Sequence, residues 1–140
     1  MNVILIGHGH TAAAMKEAAE MIFGSLPTFH PLSFVAGEGF DSLTEKLRTT
    51  ITDNGLDSED TLIVADLFGG SPYNAAAGLA LRGEVKDVVA GMSVPMCLIL
   101  AQGAAKWDVA KAVGQITKQA PLFTRTLSAE LLKKNDESDF

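Results

Sequence analysis

Short, mainly apolar runs alternate along the chain with longer segments in which apolar residues recur every three or four positions. The periodic segments predict amphipathic helices, whereas the short runs are typical of strands in a parallel sheet, which is covered on both faces. Their alternation indicates an α/β domain with a doubly wound sheet. The predicted strands cover residues 2–6, 32–35, 61–65 and 86–90.

Turn-forming residues mark where the predicted helices begin and end. Asn54-Gly55 ends one periodic segment, and Pro72 takes the first helical position after Ser71, which we expect to cap that helix. The segment PLFTRTL at 121–127 predicts a final strand. We expect helices over 12–23, 40–53, 72–82 and 128–134, and two more within 94–119, separated near Gly103.

The chain has 140 residues, a length that fits one domain, which we place over residues 1–134. The charged ending, NDESDF at 135–140, is expected to be a disordered tail. The balance of 11 Lys and Arg against 17 Asp and Glu gives a net charge of −6. Because the chain has no basic stripe, nucleic acid is not expected as a partner.

Neither secretion nor direct membrane insertion is expected. The N-terminus runs straight into a strand-like segment without a basic region or cleavage site, and no apolar stretch reaches the roughly 20 residues of a membrane span. Cys97 is the only cysteine, so no internal disulfide can form, and we expect it to be a buried hydrophobic residue. These features predict a cytoplasmic protein.

Two unusual stretches follow predicted strands: GHGHTA at 7–12 and DLFGGSPYNAA at 66–76. Ligands of open parallel sheets bind at the carboxyl ends of the strands, near the point where the strand order reverses. If the first and third strands are neighbours, as in flavodoxin-like order, both stretches border the same crevice. We therefore predict the functional site there.

Within this crevice, His8 is a candidate nucleophile. It stands between Gly7 and Gly9, so a second macromolecule can approach it closely, and an uncharged imidazole is nucleophilic. Asp66 emerges from the third strand and can hold one ring nitrogen, which leaves the other free to attack phosphorus. The free amides of the helix that begins near Ser71 form an anion site suited to phosphate.

Simpler interpretations stay open on these residues alone. Gly-Gly-Ser-Pro is also an ordinary helix start, and His8 could be a hydrogen-bonded loop histidine without chemistry. His8, His10 and Asp66 could together bind a metal, but ligands two apart on a glycine-rich loop lack a rigid element to fix them. We therefore expect no metal, and we expect His10 to pack or to face solvent and His30 to be a surface residue.

The quoted stretches, taken together, resemble the IIA components of the mannose family (the mannose, fructose and sorbose branch) of the bacterial phosphoenolpyruvate-dependent sugar phosphotransferase system. The resemblance runs from Met1 to about residue 127. It rests on His8-Gly9-His10-Thr11-Ala12, FVAGEG at 34–39, DLFGGSPYNAA at 66–76 and AGMSVPM at 90–96.

The resemblance implies a role for five matching residues. His8 is the residue that becomes phosphorylated, and Asp66 orients it. Ser71, together with the backbone at Gly70 and Gly9, holds the phosphoryl group.

Two aromatic residues, Phe68 and Phe34, are expected near the site, where exposed rings would serve the docking of partner proteins. The sequence departs from the family at Gly7, where relatives often have Ser or Thr, and at Ser93, where Asn is common. We assign no role to either residue.

The resemblance also implies a fold and an activity. The family fold is a flavodoxin-like sheet of four parallel strands plus a C-terminal antiparallel strand, which 121–127 match and which is swapped in a homodimer. The implied activity is that of a phosphotransferase without a cofactor. His8 accepts a phosphoryl group from HPr and passes it to a IIB component, which works with a membrane IIC/IID complex in sugar uptake and phosphorylation.

Two alternatives use the same fold. A phosphocarrier subunit for a dihydroxyacetone kinase is disfavoured, because those relatives tend to have Ser-His-Ser where this chain has Gly-His-Gly. A non-enzymatic small-ligand or anion-binding domain would keep the anion site at the helix start but would not need His8. The sequence does not identify the sugar.

Overall fold

The computed structural model describes the backbone of residues 1–138 and the side chains of residues 1–136. Strands and helices alternate along the chain, as the apolar pattern predicts. The strands are β1 (Asn2–His8), β2 (Phe29–Phe34), β3 (Thr61–Ala65) and β4 (Asp87–Ala90). The helices are α1 (Thr11–Phe23), α2 (Phe40–Asp53), α3 (Ser71–Leu81), α4 (Val94–Gly103), α5 (Val109–Gln119) and α6 (Leu127–Ser138), with short 3₁₀ turns at Ser58–Asp60 and Ala120–Leu122.

The four strands form one parallel sheet in the order β2-β1-β3-β4. This order confirms the flavodoxin-like arrangement and places β1 beside β3 at the centre. Ile6 pairs with Ala65, and His8 pairs with Phe34, so the carboxyl ends of β1, β2 and β3 meet at one edge of the sheet. The strand order reverses between β1 and β3, which is where ligands of such sheets bind.

Apolar residues of the central strand β1 alternate between two cores. Val3 and Leu5 are buried in a cluster with residues of α1, α4 and α5. Ile4 and Ile6 are buried in a second cluster with residues of α2 and α3. Both faces of the sheet are therefore covered, and this is why the strand is a continuous apolar run. Burial of each such side chain contributes about 1.5–3 kcal/mol to stability.

Most boundaries agree with those predicted: α2 and β3 agree residue for residue, and the break after α4 at Gly103 is confirmed. The cap of α3 differs. Gly70 is the N-cap residue, because its backbone is extended and its carbonyl accepts a hydrogen bond from the Asn74 amide at 2.9 Å. The prediction of Ser71 as the cap was wrong, since Ser71 is already the first residue of the helix.

The prediction of a strand over 121–127 was also wrong for this chain. Residues Ala120–Leu122 form a 3₁₀ turn instead. Thr126 then caps the N-terminus of α6, because its hydroxyl oxygen accepts a hydrogen bond from the Ala129 amide at 3.2 Å. Pro121 has no amide to donate to a ladder, and within the described chain no strand pairs with this segment. The strand whose exchange would build a homodimer is therefore missing from the described residues.

Helix α6 is longer than the predicted helix over 128–134. It continues to Ser138, into the segment 135–140 that was expected to be a disordered tail, and residues 139 and 140 lie outside the described part of the chain. The helix leaves three leucines exposed: Leu127, Leu131 and Leu132.

Candidate functional site

His8 is the last residue of β1, so the strand continues past residue 6 and carries the histidine to the edge of the sheet. The backbone around it is held on both sides. The Thr11 hydroxyl donates to the His8 carbonyl at 2.7 Å, and the Gly9 amide donates to the Phe34 carbonyl at 2.7 Å. Gly9 has a φ of 57°, in the left-handed region that favours glycine. Contacts with β2 and α1 thus fix the position from which the His8 side chain projects.

Asp66 follows β3 directly and reaches His8. Its Oδ2 lies 2.8 Å from Nδ1 of His8 and accepts a second hydrogen bond, at 2.9 Å, from the His8 backbone amide. Because an ionised carboxylate can only accept, Nδ1 carries the proton, and in an uncharged ring Nε2 holds the free lone pair. The Asp66 side chain is 17% exposed and the His8 side chain 49%. The imidazole is therefore held at Nδ1, and about half of the side chain is open to solvent.

Two further features show how closely Asp66 approaches β1. A Cβ atom at Gly7 would lie only 3.1 Å from Cγ of Asp66, so the missing side chain at Gly7 makes room for the carboxylate. This contact was not predicted, because it depends on the pairing of β1 with β3. Oδ1 of Asp66 is buried and has no hydrogen-bond partner within residues 1–136. A buried oxygen without a partner costs stability and needs an explanation, such as a role in function.

The N-terminus of α3 lies beside the imidazole. A Cβ atom at Gly70 would lie 3.5 Å from Cε1 of His8, so the Gly70 backbone is close to the ring. Gly69 has a φ of 79°, which allows the tight turn that leads into the helix. Amides of the first helical turn have no partner within the helix, and the helix dipole is positive at this end. The predicted anion site at Ser71 is therefore next to His8, and the Ser71 hydroxyl makes no hydrogen bond within the described residues.

The two aromatic residues predicted for docking have different surroundings. Phe68 is 75% exposed and contacts Tyr73, with ring centroids 4.9 Å apart. Phe34 is half-buried, packs against the core between the sheet and helices α2 and α3, and contacts the His8 ring. Sequence reasoning missed three further exposed apolar residues that lie in or beside the same motifs: Val35, Phe40 and Leu67. Their place in those motifs is the signal that would have identified them.

His10, the third ligand of the metal hypothesis, does not join this centre. His10 is exposed, and its Nδ1 lies 3.5 Å from the Ser33 hydroxyl. Among the described residues, no group of three or more His, Cys, Asp or Glu side chains could hold a metal ion. No helix in the described part of the chain is long and apolar enough to cross a membrane.

Two residues at and within α4, Ser93 and Cys97, have structural roles in this fold. Ser93, to which the sequence assigned no role, caps α4 by accepting a hydrogen bond from the Met96 amide at 3.3 Å. Cys97 is buried as predicted, and burial raises the pKa of its thiol to about 12. The thiolate is therefore not available near neutral pH, and Cys97 is not a candidate nucleophile.

Comparison with known proteins gives a family match over most of the chain. The family model described as "PTS system fructose IIA component", where PTS denotes the phosphotransferase system, matches residues 2–117. The sorbose-specific EIIA component of Lacticaseibacillus casei is 45% identical over 140 residues, covering 100% of both chains. The fructose-specific EIIA component of Bacillus subtilis is 37% identical over 98 residues, covering 70% of this chain and 66% of the relative. A 36% identical match to the mannose-specific EIIAB component of Escherichia coli covers 66% of this chain but only 29% of that protein.

Solved structures agree with the fold. The mannose/sorbose-specific IIA subunit from Enterococcus faecalis has a TM-score of 0.78 at 26% identity, covering 90% of this chain and 93% of that one. The phosphotransferase system component EIIA from Streptococcus agalactiae has a TM-score of 0.81 at 20% identity, covering 91% and 98%, a likeness that shows the fold alone. These matches bear out the α/β fold with four parallel strands in one sheet.

Proposed function

Because this chain belongs to the mannose family of enzyme IIA components of the bacterial sugar phosphotransferase system, we propose that it is a phosphoryl carrier. His8 accepts a phosphoryl group from phospho-HPr and passes it to a IIB component. The membrane IIC/IID complex takes part only indirectly, and the carrier works in the cytoplasm.

The observation that carries this proposal is the bond between Nδ1 of His8 and Oδ2 of Asp66, at 2.8 Å, beneath a half-exposed ring. Asp66 holds the proton on Nδ1, so the lone pair of Nε2 is the nucleophile. As the bond from Nε2 to phosphorus forms, the phosphorus–nitrogen bond of the donor phosphohistidine breaks, and its electron pair returns to the donor imidazole. Transfer of this kind depends mainly on positioning and charge stabilisation, so it needs no cofactor.

The anion site at the start of α3 is proposed to hold the transferred group. Gly70 lies beside the ring, and the free amides at the start of α3, near Ser71, suit phosphoryl oxygens. The amide of Gly9, the other residue predicted to hold the group, already donates to the Phe34 carbonyl, so Gly9 is not proposed as a donor. The Ser71 hydroxyl is proposed as a further donor. Stabilising charge on these oxygens lowers the barrier in both directions, so the same groups serve acceptance and release.

The exposed apolar residues around His8 are proposed as the docking surface for HPr and IIB. Phe68 is the main candidate because most of its side chain is exposed, whereas Phe34 is half-buried and packs against the core. The relatives described above carry sorbose, fructose and mannose in their names, so the matches do not identify the sugar. They are all named as sugar-system components, which disfavours the dihydroxyacetone kinase alternative.

Intact mass spectrometry tests the proposal directly. The purified protein is mixed with phosphoenolpyruvate, enzyme I and HPr, and we expect a gain of one phosphoryl group that is labile to acid and stable to base. His8→Ala should abolish the gain, and His10→Ala, the matched control two residues away, should keep it. Labelling of the His8→Ala variant would contradict the assignment. No labelling of the unaltered protein would favour the anion-binding alternative instead.

A further inference from the structure

Phe34 is placed by the sheet directly beside the reactive histidine. In the register of β1 and β2 it pairs with His8, and its carbonyl accepts a hydrogen bond from the Gly9 amide at 2.7 Å. The two rings meet edge to face, with centroids 5.0 Å apart and planes at 70°. Aromatic pairs at this distance and angle attract each other beyond the burial of their surfaces.

The position of Phe34 is itself fixed by the core. Its ring packs against the buried cluster between the sheet and helices α2 and α3, which contains Ile6 and Leu43. A side chain that is held both by a backbone bond and by a core cannot move aside easily when a partner approaches. Phe34 therefore provides a fixed surface against which the His8 imidazole packs.

Three groups thus border the His8 ring. Asp66 binds Nδ1, Gly70 lies beside Cε1, and Phe34 contacts the ring. A hydrogen bond to Nδ1 alone still allows the ring to tilt about that bond. A contact with a second ring restricts this tilt and so restricts the direction in which Nε2 points.

We propose that Phe34 is a positioning residue, which holds the His8 imidazole in the orientation that aims Nε2 at phosphorus, rather than a residue that binds the partner proteins. This inference rests on the proposed function of His8. It separates Phe34 from Phe68, which is 75% exposed and contacts Tyr73 instead. The two phenylalanines therefore form a matched pair of sites, one for orientation and one for docking.

Steady-state kinetics with phospho-HPr distinguish the two roles. Phe34→Leu should lower the kcat of phosphoryl transfer by about threefold to tenfold, the range expected for loss of one aromatic pair, and should leave KM unchanged. Phe68→Leu should raise KM and leave kcat unchanged. Phe34→Tyr keeps the ring and should keep the kcat of the unaltered protein. A raised KM at unchanged kcat in Phe34→Leu would overturn the proposal.

¹³C NMR relaxation of the His8 ring gives a second readout that does not depend on partners. The unaltered protein and Phe68→Leu should show a rigid ring, whereas Phe34→Leu should show a more mobile ring, with the proton still on Nδ1 because Asp66 is unchanged. Circular dichroism checks folding, and Phe34→Met replaces Phe34→Leu if that variant does not fold. A His8 ring as rigid in the variants without the Phe34 ring as in the unaltered protein would also overturn the proposal. If the unaltered protein accepts no phosphoryl group, the proposed function fails, and the NMR result alone decides the role of Phe34.

Discussion

At the scale of single residues, one oxygen of Asp66 makes two bonds to the same histidine. Oδ2 accepts from the backbone amide and from the ring nitrogen of His8. The backbone bond keeps the carboxylate in place even if the ring rotates, so the acceptor for Nδ1 is present in advance. Such preorganisation is what a positioned catalytic group requires.

Replacing Asp66 by alanine removes the group that fixes the tautomer. We expect the rate of His8 phosphorylation to fall by about 100-fold or more. Without Asp66 the ring proton can also reside on Nε2, and Nε2 then has no free lone pair with which to attack phosphorus. The midpoint of urea unfolding should not fall, because the change also removes Oδ1, the buried oxygen without a partner. Rapid-quench labelling with phospho-HPr measures the rate, and Asp53→Ala, at an exposed position, is the control. An unchanged rate would show that another group holds the tautomer.

The sequence identified the main residues of this site, but it did not predict all of the contacts between them. His8 and Asp66 could be identified because each follows a buried strand, and their contact follows from the pairing of Ile6 with Ala65. The cap at Gly70 could not be identified from the sequence, because Ser is preferred over Gly at the N-cap position of helices and Ser71 is the next residue. The contact of Phe34 with His8 depends on the β1–β2 register, which a single sequence does not determine.

At the scale of elements, the end of α4 depends on a glycine. The Trp107 ring lies against Gly103, whose carbonyl also accepts a hydrogen bond from the Trp107 amide at 2.8 Å. A methyl group at Gly103 would overlap the ring. The indole packs against the core on the α1, α4 and α5 face, so moving it disturbs that core.

Gly103→Ala should therefore lower the free energy of unfolding by about 1–3 kcal/mol, as overpacking does. Gly114→Ala is the matched control, because Gly114 lies within α5 and a Cβ atom there would meet nothing within 4 Å. That variant should raise the free energy of unfolding by about 0.5–1 kcal/mol, the advantage of alanine over glycine in a helix. Urea unfolding measures both, and equal effects of the two variants would contradict the role given to Trp107.

An ion-pair cluster joins α2 to the end of α3. Glu84 accepts hydrogen bonds from Arg48 at 2.8 and 3.0 Å and from Arg82 at 3.1 Å. The hydrogen bonds from Arg48, followed by that from Arg82, lower the pKa of Glu84 from its ordinary 4.5 to about 2. Because the folded state favours the charged carboxylate, this contribution to stability is full above pH 4.5 and is lost as the pH falls towards 2.

Glu84→Gln should therefore lower the free energy of unfolding near neutral pH, and the difference from the unaltered protein should shrink between pH 4.5 and pH 2. Urea unfolding at a series of pH values measures this difference. Glu59→Gln, at a side chain that is 74% exposed, is the control and should change stability little at any of these pH values. A difference that stays constant with pH would exclude the charge of Glu84 as its source.

At the scale of the whole molecule, the sequence predicted the four-stranded sheet and its helices but not the C-terminal segment. Strands β1 and β3 are identifiable because they are buried on both faces, a property of their own residues. A strand at 121–127 needs a partner strand as well, and the hydroxyl of Thr126 starts a helix instead. The β propensity of the residues in 121–127 does not take into account the missing partner strand or the helix that begins after Thr126.

The homodimer stays a prediction, now supported by the exposed leucines of α6 instead of a strand. We expect the purified protein to sediment as a dimer, and the double variant Leu127→Ser, Leu131→Ser to shift it towards the monomer. Leu81→Ser is the control, because Leu81 is 89% exposed on α3. Sedimentation of the unaltered protein as a monomer at all concentrations would contradict the homodimer.

The bond that occupies Nδ1 of His8 leaves one ring nitrogen for both steps of the proposed relay, acceptance and release of the phosphoryl group. Donor and acceptor must therefore reach the same atom through the same opening, and neither can bind productively while the other is there. We therefore expect the proposed carrier to alternate between two binary complexes, without a ternary one. We expect ping-pong kinetics, and inhibition by an excess of either partner in the wrong phosphorylation state, because that partner would occupy the face that the other needs.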